Sequence, residues 1–480
     1  MDKILSRQLL TPYKHQQDLI DRFKESNYAA LFLDPGVGKT LTSINLWREA
    51  CKNEGRILRA LILCPPIVLQ NWKNEFELCS KIDMNLVGVF PTGKPPKKKI
   101  EFAEDQTHLI KIINYEALLN EKVLDAIIKF KCDLAIADES HYLKNGKTKN
   151  FKNAYAATRS AKYRYILTGT PISNSPMDIW AQYLFMDNGL SFGRFFTNFR
   201  NKYFYDNNSG MPKNKYFPDW RLQPSMRGEM ERIIRETSAK LTKEECLDLP
   251  DLVEQNIYVE PTKEMESNYN ELKRELITWI ENHETGTQDA VLAQNALVKL
   301  LRLNEITNGY AKTEDDEIIP FKQNPKLDAL MEIIESTAPH KVIVFTIYKQ
   351  TYSDISEALK KAKIKYVELH GGIAKKQDVV DQFNDLSNDI RVCIAHPRSA
   401  GVGINLKSAS YAVFYSRSHS LVDREQSKAR NYRAGSVDLF KKITHYDIVM
   451  NRTCDVEILN ALKQKKDISN SLIAIKQAIK

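Results

Sequence analysis

The 480-residue chain carries 70 Lys and Arg against 61 Asp and Glu, a net charge of +9, with 42% hydrophobic and 27% charged residues. That length has room for two or three domains with real cores. No run of about 18 apolar residues is present to span a bilayer, so no membrane association is expected. The mild positive excess suits a polyanionic partner and suits plain solubility equally. The opening residues, Met1-Asp2-Lys3-Ile4-Leu5-Ser6-Arg7, hold no apolar signal core. The seven cysteines are scattered, with no Cys-x-x-Cys pair. They point to reduced thiols in a cytosol-like compartment, with neither a zinc site nor a disulfide framework.

The first predicted elements are a helix through Phe23, opening at Pro12-Tyr13-Lys14-His15-Gln16, and an apolar strand, Leu31-Phe32-Leu33. Asp34-Pro35-Gly36-Val37-Gly38-Lys39-Thr40 follows and runs into a helix reaching Leu46 and Trp47. Strand, glycine-bearing turn and Lys-Thr at a helix start make the layout of a phosphate-binding loop. Gly36 and Gly38 let backbone N–H groups approach phosphate oxygens, and the helix adds its positive end. Lys39 is placed to reach the β and γ phosphates, and Thr40 to hold Mg²⁺. Leu33 stands where the strict pattern has glycine, and the plainer reading is a loop that merely contains Gly-Lys-Thr. Upstream, the Gln16 amide both donates and accepts, as reading an adenine requires.

Strands then alternate with helices: Ala60 to Cys64, Leu86 to Phe90, Leu109 to Ile113, Leu134 to Ala137, and Tyr165 to Leu167. That alternation predicts a doubly wound parallel sheet, with ligands at the carboxyl ends of its strands. Asp138-Glu139-Ser140-His141 sits at one such end. Asp138 is placed to hold Mg²⁺ and Glu139 to orient and deprotonate an attacking water. Thr168-Gly169-Thr170-Pro171 ends the next strand, either as a sensor of the γ-phosphate region or as a simple strand cap.

Between about 185 and 320 the character changes. Phe192, Phe195, Phe196, Phe199, Tyr203, Phe204 and Tyr205 lie among Arg194, Arg200 and Lys202. Such a run can grip nucleic acid, but the core of a small helical subdomain is the reading expected. Residues 260 to about 307 read as helices without catalytic residues, with apolar positions at Leu272, Leu276, Ile277, Ile280, Leu297, Leu300, Leu301 and Leu303. A second α/β unit starts at Asn324-Pro325, with strands at Lys341–Phe345, Tyr366–Leu369, Val392–Ala395 and Tyr411–Tyr415. Further on, Gln426-Ser427-Lys428-Ala429-Arg430-Asn431-Tyr432-Arg433 is expected on a helix. There Arg430 and Arg433 share a face and can act as arginine fingers toward a γ-phosphate. A solvated basic face is the plainer reading.

Taken in order, these motifs resemble the Swi/Snf-like group of superfamily 2 helicase-type ATPases, which translocate on double-stranded DNA. Gln16 falls at the adenine-reading glutamine and Asp34 to Thr40 at motif I. Cys64-Pro65-Pro66 through Trp72 resembles motif Ia, and Ile113-Asn114-Tyr115-Glu116 motif Ib. Asp-Glu-Ser-His resembles motif II, Thr-Gly-Thr-Pro motif III, and Gln426-x-x-x-Arg430-x-x-Arg433 motif VI. Ala429 and Ser436 depart from the family's usual glycine and glutamine.

The resemblance implies an α/β fold of two RecA-like parallel-sheet lobes: lobe 1 at 1–185, a helical insertion at 186–320, and lobe 2 at 321–480. It implies ATP and Mg²⁺, bound by Gln16, Gly36, Val37, Gly38, Lys39 and Thr40, with Thr40 and Asp138 on the metal. Lys39, Asp138, Glu139, Arg430 and Arg433 would be catalytic. His141, Thr168, Gly169, Thr170 and Gln426 would couple hydrolysis to movement. Nucleic-acid contacts are expected at Asn71, Trp72, Asn114, Tyr115, Gly371, Ser399, Gly401 and Asn405. The activity implied is ATP-driven movement on duplex or branched DNA. The alternatives are an RNA or single-strand helicase, and an ATP-gated DNA-binding scaffold. A monomer is expected, in bacterial cytoplasm at the nucleoid or in the host cytoplasm of a phage. A nuclease or a replication or recombination partner in trans is a reasonable companion.

Overall fold

The computed structural model describes residues 10–212, 216, 218–283, 298, 301–313, 315–373, 375–398, 404–433 and 435–473. The chain divides into two compact units. The first holds Met1–Tyr205, Trp220–Leu247 and Lys465–Lys480, the second Asp206–Asp219 and Asp248–Gln464.

In the first unit the strands are β1 (Tyr28–Leu33), β2 (Ala60–Cys64), β3 (Val87–Val89), β4 (Ile110–Asn114), β5 (Leu134–Asp138) and β6 (Tyr163–Leu167). Two short strands, β7 (Phe204–Asp206) and β8 (Trp220–Leu222), pair with each other, and β9 (Ser238–Leu241) returns to the main sheet. The order is β3-β4-β2-β5-β6-β1-β9, and every pairing is parallel. β2, β4, β5 and β6 are buried along their whole length. That is why they read as continuous apolar runs and not as alternating ones. The sequence expectation of an α/β protein built on parallel sheets is what the structure has.

The expected boundary at 185 is revised. Phe192, Phe199, Tyr203 and Phe204 are buried with Met230 and Ile234 in the core of the first unit. Most of the aromatic run is therefore core, but of the first unit and not of a separate helical subdomain, and Phe195 (69%) and Tyr205 (42%) are exposed. Farther along, β9 pairs with β1 from Ala30↔Ser238 to Leu33↔Leu241.

The second unit holds β10 (Asp251–Val259), the β11–β12 hairpin (Tyr310–Lys312, Ile318–Pro320), β13 (Lys341–Phe345), β14 (Tyr366–Leu369), β15 (Val392–Ala395), β16 (Ala409–Phe414) and β17 (Lys442–Met450). Its sheet runs β10-β17-β16-β13-β15-β14, again all parallel. β10 lies in the segment expected to be a helical insertion, yet it pairs with β17 over nine residues. The helix Lys263–His283 follows, and its Met265 and Tyr269 pack with Leu303, Ile306 and Met450. The side chains of Leu276, Ile277 and Ile280, and residues Leu297 and Leu300, lie outside the described residues, while Leu301 is exposed. The helix Pro325–Ser336 starts where the sequence places it. The Asn324 side chain accepts the Leu327 N–H at 3.2 Å, and Pro325 fills the first turn, where no donor is needed.

Candidate nucleotide site

The ends of β5, β6 and β1 are neighbours in the first sheet. The motifs that follow those three strands are thereby gathered at one edge. After β1, Gly36 and Gly38 both take φ +94°, in the left-handed region open to glycine. Gly38 is the N-cap of the helix Lys39–Glu54, so Lys39 and Thr40 open that helix. A side chain at Gly38 would also collide with Gln16, since its Cβ would lie 2.0 Å from Gln16 Nε2.

Gln16 is buried against this loop. Its Nε2 donates to the Val37 carbonyl at 3.2 Å, and its Oε1 accepts the Tyr13 N–H at 3.0 Å. The amide thus holds the loop, with one hydrogen and one lone pair left for a ligand. Val37 N–H turns back to the Asp34 carbonyl at 3.2 Å, so Val37 serves the loop's shape. Lys39 Nζ donates to the Leu33 carbonyl at 2.9 Å. That oxygen is an acceptor of the kind a phosphate would offer, so the ammonium is held within the loop.

Asp138 ends β5 and is 8% exposed. Its Oδ2 accepts the Trp72 indole N–H at 2.9 Å, and its Oδ1 accepts the Glu139 N–H at 3.0 Å. Burial pushes its carboxyl up from 3.8 to about 6. The Glu139 charge adds to that, while Lys39 and the Trp72 hydrogen bond pull it down. Glu139 takes φ +53°, a backbone conformation uncommon for a residue with a side chain, found where structure is held for function. Its Oε2 lies 3.2 Å from His141 Nδ1, which is also 3.3 Å from Thr168 Oγ1. Thr168 Oγ1 in turn accepts the Thr170 N–H at 3.1 Å. His141 thus joins the end of β5 to the turn after β6. At Gly169 a Cβ would stand 3.1 Å from Pro35 Cδ and 3.3 Å from the Leu33 carbonyl, so this turn lies directly on the phosphate loop.

A second tie was missed from sequence. Ser140 Oγ donates to Gln182 Oε1 at 2.7 Å, and Gln182 Nε2 donates to the Pro171 carbonyl at 2.7 Å. The available signal was a lone glutamine within the apolar stretch Ile179 to Met186, which is buried all round.

Several expected nucleic-acid contacts are corrected. Trp72 is 1% exposed and Tyr115 fully buried, so neither presents a surface to a macromolecule. Both hold Asp138 instead, the Tyr115 hydroxyl donating to its backbone carbonyl at 2.7 Å. Asn114 is also buried, its Nδ2 on Glu116 at 2.9 Å. Asn71 and Gly371 are exposed. Asn405 is half-buried, and its carbonyl accepts Asn384 Nδ2 at 2.6 Å. Ser399 and Gly401 lie outside the described residues.

In the second unit the helix that starts at Leu421 ends at Lys428, and Arg430 and Arg433 lie in the turn beyond it. The shared helix face expected for them is therefore not formed. Arg430 is buried, donating from Nε to the Gln426 carbonyl and from Nη1 to the Ile404 carbonyl, both at 2.8 Å. These carbonyls explain why the turn closes here. Arg433 is partly exposed, and burial lowers its guanidinium from its ordinary value. Gln426 is half-buried on the helix.

The SNF2-related domain matches residues 19–311, more than half of the chain, and the helicase conserved C-terminal domain matches 325–435. This chain belongs to the SNF2-related family. An ATP-dependent helicase of Mycoplasma genitalium is 25% identical over 460 residues, covering 94% of this chain and 40% of that protein. The chromatin structure-remodeling complex subunit snf21 of Schizosaccharomyces pombe is 22% identical, over 91% of this chain and 37% of its own length. A RAD54-like DNA repair and recombination protein of Drosophila willistoni is 24% identical, over 98% and 64%. The chain thus spans less than two thirds of each of these relatives. The SWI2/SNF2 ATPase core of Sulfolobus solfataricus, solved with double-stranded DNA, aligns with 98% of this chain and 95% of its own at 24% identity and a TM-score of 0.43.

Proposed function

We propose that this SNF2-family chain is a DNA-dependent ATPase that uses ATP to move on or remodel double-stranded or branched DNA. The observation that carries the reading is the edge of the first sheet. There Lys39 and Thr40 open a helix behind a left-handed glycine, beside the buried Asp138–Glu139 pair and the His141–Thr168 contact. The residues fit a nucleoside triphosphate. Lys39, now on a backbone carbonyl, exchanges that acceptor for phosphate oxygens, and the first-turn N–H groups have no partners within the helix. Thr40 and Asp138 would hold Mg²⁺, which when bound neutralises charge on the phosphates. Glu139 orients and deprotonates the attacking water, and its contact with His141 passes its position to the turn after β6. Within the second unit, Arg430 braces the turn that carries Arg433.

The duplex-DNA part of the reading rests on family membership and on the relatives named for DNA repair and chromatin remodelling. Among the described residues no helix is long and apolar enough to cross a membrane, and a cytoplasmic, nucleoid-associated setting goes with that reading.

Displacement of a third strand from a DNA triplex tests movement on an intact duplex. The expected result is displacement that requires Mg-ATP, is lost in Lys39→Ala, and weakens steeply with salt. Strand separation of RNA without any triplex displacement would instead favour the RNA-helicase reading.

A further inference from the structure

β2 and β4 are neighbours in the sheet, and β2 is the neighbour of β5. Each sends one aromatic residue to the end of β5. Trp72 comes from the helix Leu69–Cys79 that follows β2, and Tyr115 directly follows β4. The indole N–H donates to Asp138 Oδ2 at 2.9 Å, and the phenol donates to the Asp138 backbone carbonyl at 2.7 Å. One bond fixes the plane of the carboxylate, and the other fixes the backbone that carries it. Both donors are neutral and buried. A lysine or arginine in place of Trp72 would also hold the carboxylate, but it would cancel the charge that a cation needs. A phenylalanine at either place would fill the same space and hold nothing. Packing alone therefore does not account for a donor at both positions.

We propose that Trp72 and Tyr115 are positioning residues for Asp138, presenting its carboxylate in one fixed orientation to a divalent cation. The proposal rests on the Mg-ATP reading above. Outer partners of metal-binding groups are worth about 10- to 100-fold in metal affinity. The loss of the indole N–H is therefore read as a loss of magnesium affinity.

The experiment is calorimetric titration of ADP into the full chain, with Mg²⁺ and with EDTA. The ratio of the two affinities is the magnesium increment. In Trp72→Phe the increment falls about tenfold, while ADP affinity in EDTA stays within about twofold. The Mg²⁺ concentration that half-saturates ATP hydrolysis rises in step. Phe76→Leu is the packing control. Phe76 lies 6.4 Å from the Trp72 ring, centroid to centroid, is buried in the same helix, and its ring offers no donor. It lowers thermal stability and leaves the increment unchanged. If Trp72→Phe does not fold, the same titration on Tyr115→Phe decides, with a several-fold fall expected. A wild-type increment in a folded Trp72→Phe chain, or in Tyr115→Phe where the first does not fold, overturns the proposal. A wild-type chain with no increment at all overturns the magnesium reading itself, and this proposal with it.

Discussion

Gly38 holds two constraints at one atom, a φ of +94° and the Gln16 amide where a Cβ would stand. Gly38→Ala therefore strains the backbone by about 1–2 kcal/mol and displaces the far end of Gln16 from the Val37 carbonyl. A loss of roughly five- to thirtyfold in ATP affinity is expected, measured by titration of the full chain. Asp138 gives a pH dependence. Its folded value, raised by burial to about 6, lies above its ordinary 3.8. The stabilising contribution of this group is complete below the ordinary value and fades as pH rises through about 6, where the buried carboxylate becomes charged. A divalent cation favours that charged form. The rise in melting temperature on adding Mg²⁺ to the ADP-bound chain should be larger at about pH 7.5 than at about pH 5.5. Equal rises at the two pH values would contradict the placement of Asp138 at the metal. The residue types at this site were legible in the sequence, because Lys39 opens a helix behind a glycine turn, and Asp138 and Glu139 stand at the end of an apolar strand. The partners Trp72, Tyr115 and Gln182 were not, since their roles depend on which strands lie side by side.

Elements explain the remaining differences between expectation and structure. β10 is an edge strand with exposed positions at Asp251, Glu254, Gln255 and Asn256, so it shows no apolar run. β9 is four residues long and holds a lysine. β17 carries the buried polar residues His445 and Asp447, which sequence patterning counts against a strand. Asp447 is tolerated because Arg424 grips both its oxygens and Arg417 Nε lies 3.2 Å away. Burial raises its carboxyl, and Arg424 and Arg417 outweigh that and hold it below its ordinary value. Arg424 belongs to the helix Leu421–Lys428, so Asp447 anchors that helix and through it the turn bearing Arg430. Asp447→Asn leaves two buried guanidiniums short of charge. A loss of about 3–5 kcal/mol is expected in urea unfolding, and a loss under about 1 kcal/mol would show that the helix is held by other contacts. The helix end at Lys428 was illegible for a related reason. Arg430 leaves helical geometry to reach the Ile404 carbonyl, far away in sequence.

At the scale of the whole molecule, motif order in the chain predicted two parallel-sheet bodies, and the structure has them in the orders β3-β4-β2-β5-β6-β1-β9 and β10-β17-β16-β13-β15-β14. Strand order itself was not readable, because parallel strands are joined through crossovers that leave no local signature. Yet strand order is what sets the phosphate loop, Asp138–Glu139 and Thr168–Thr170 side by side. In the proposed function, this edge hydrolyses ATP in response to DNA. Steady-state ATP hydrolysis by the full chain, alone and with duplex, single-stranded and branched DNA and with RNA, tests it most directly. Strong stimulation by duplex or branched DNA, abolished in Glu139→Gln, is the expected result. Hydrolysis that no nucleic acid stimulates, or that persists in Glu139→Gln, would contradict it.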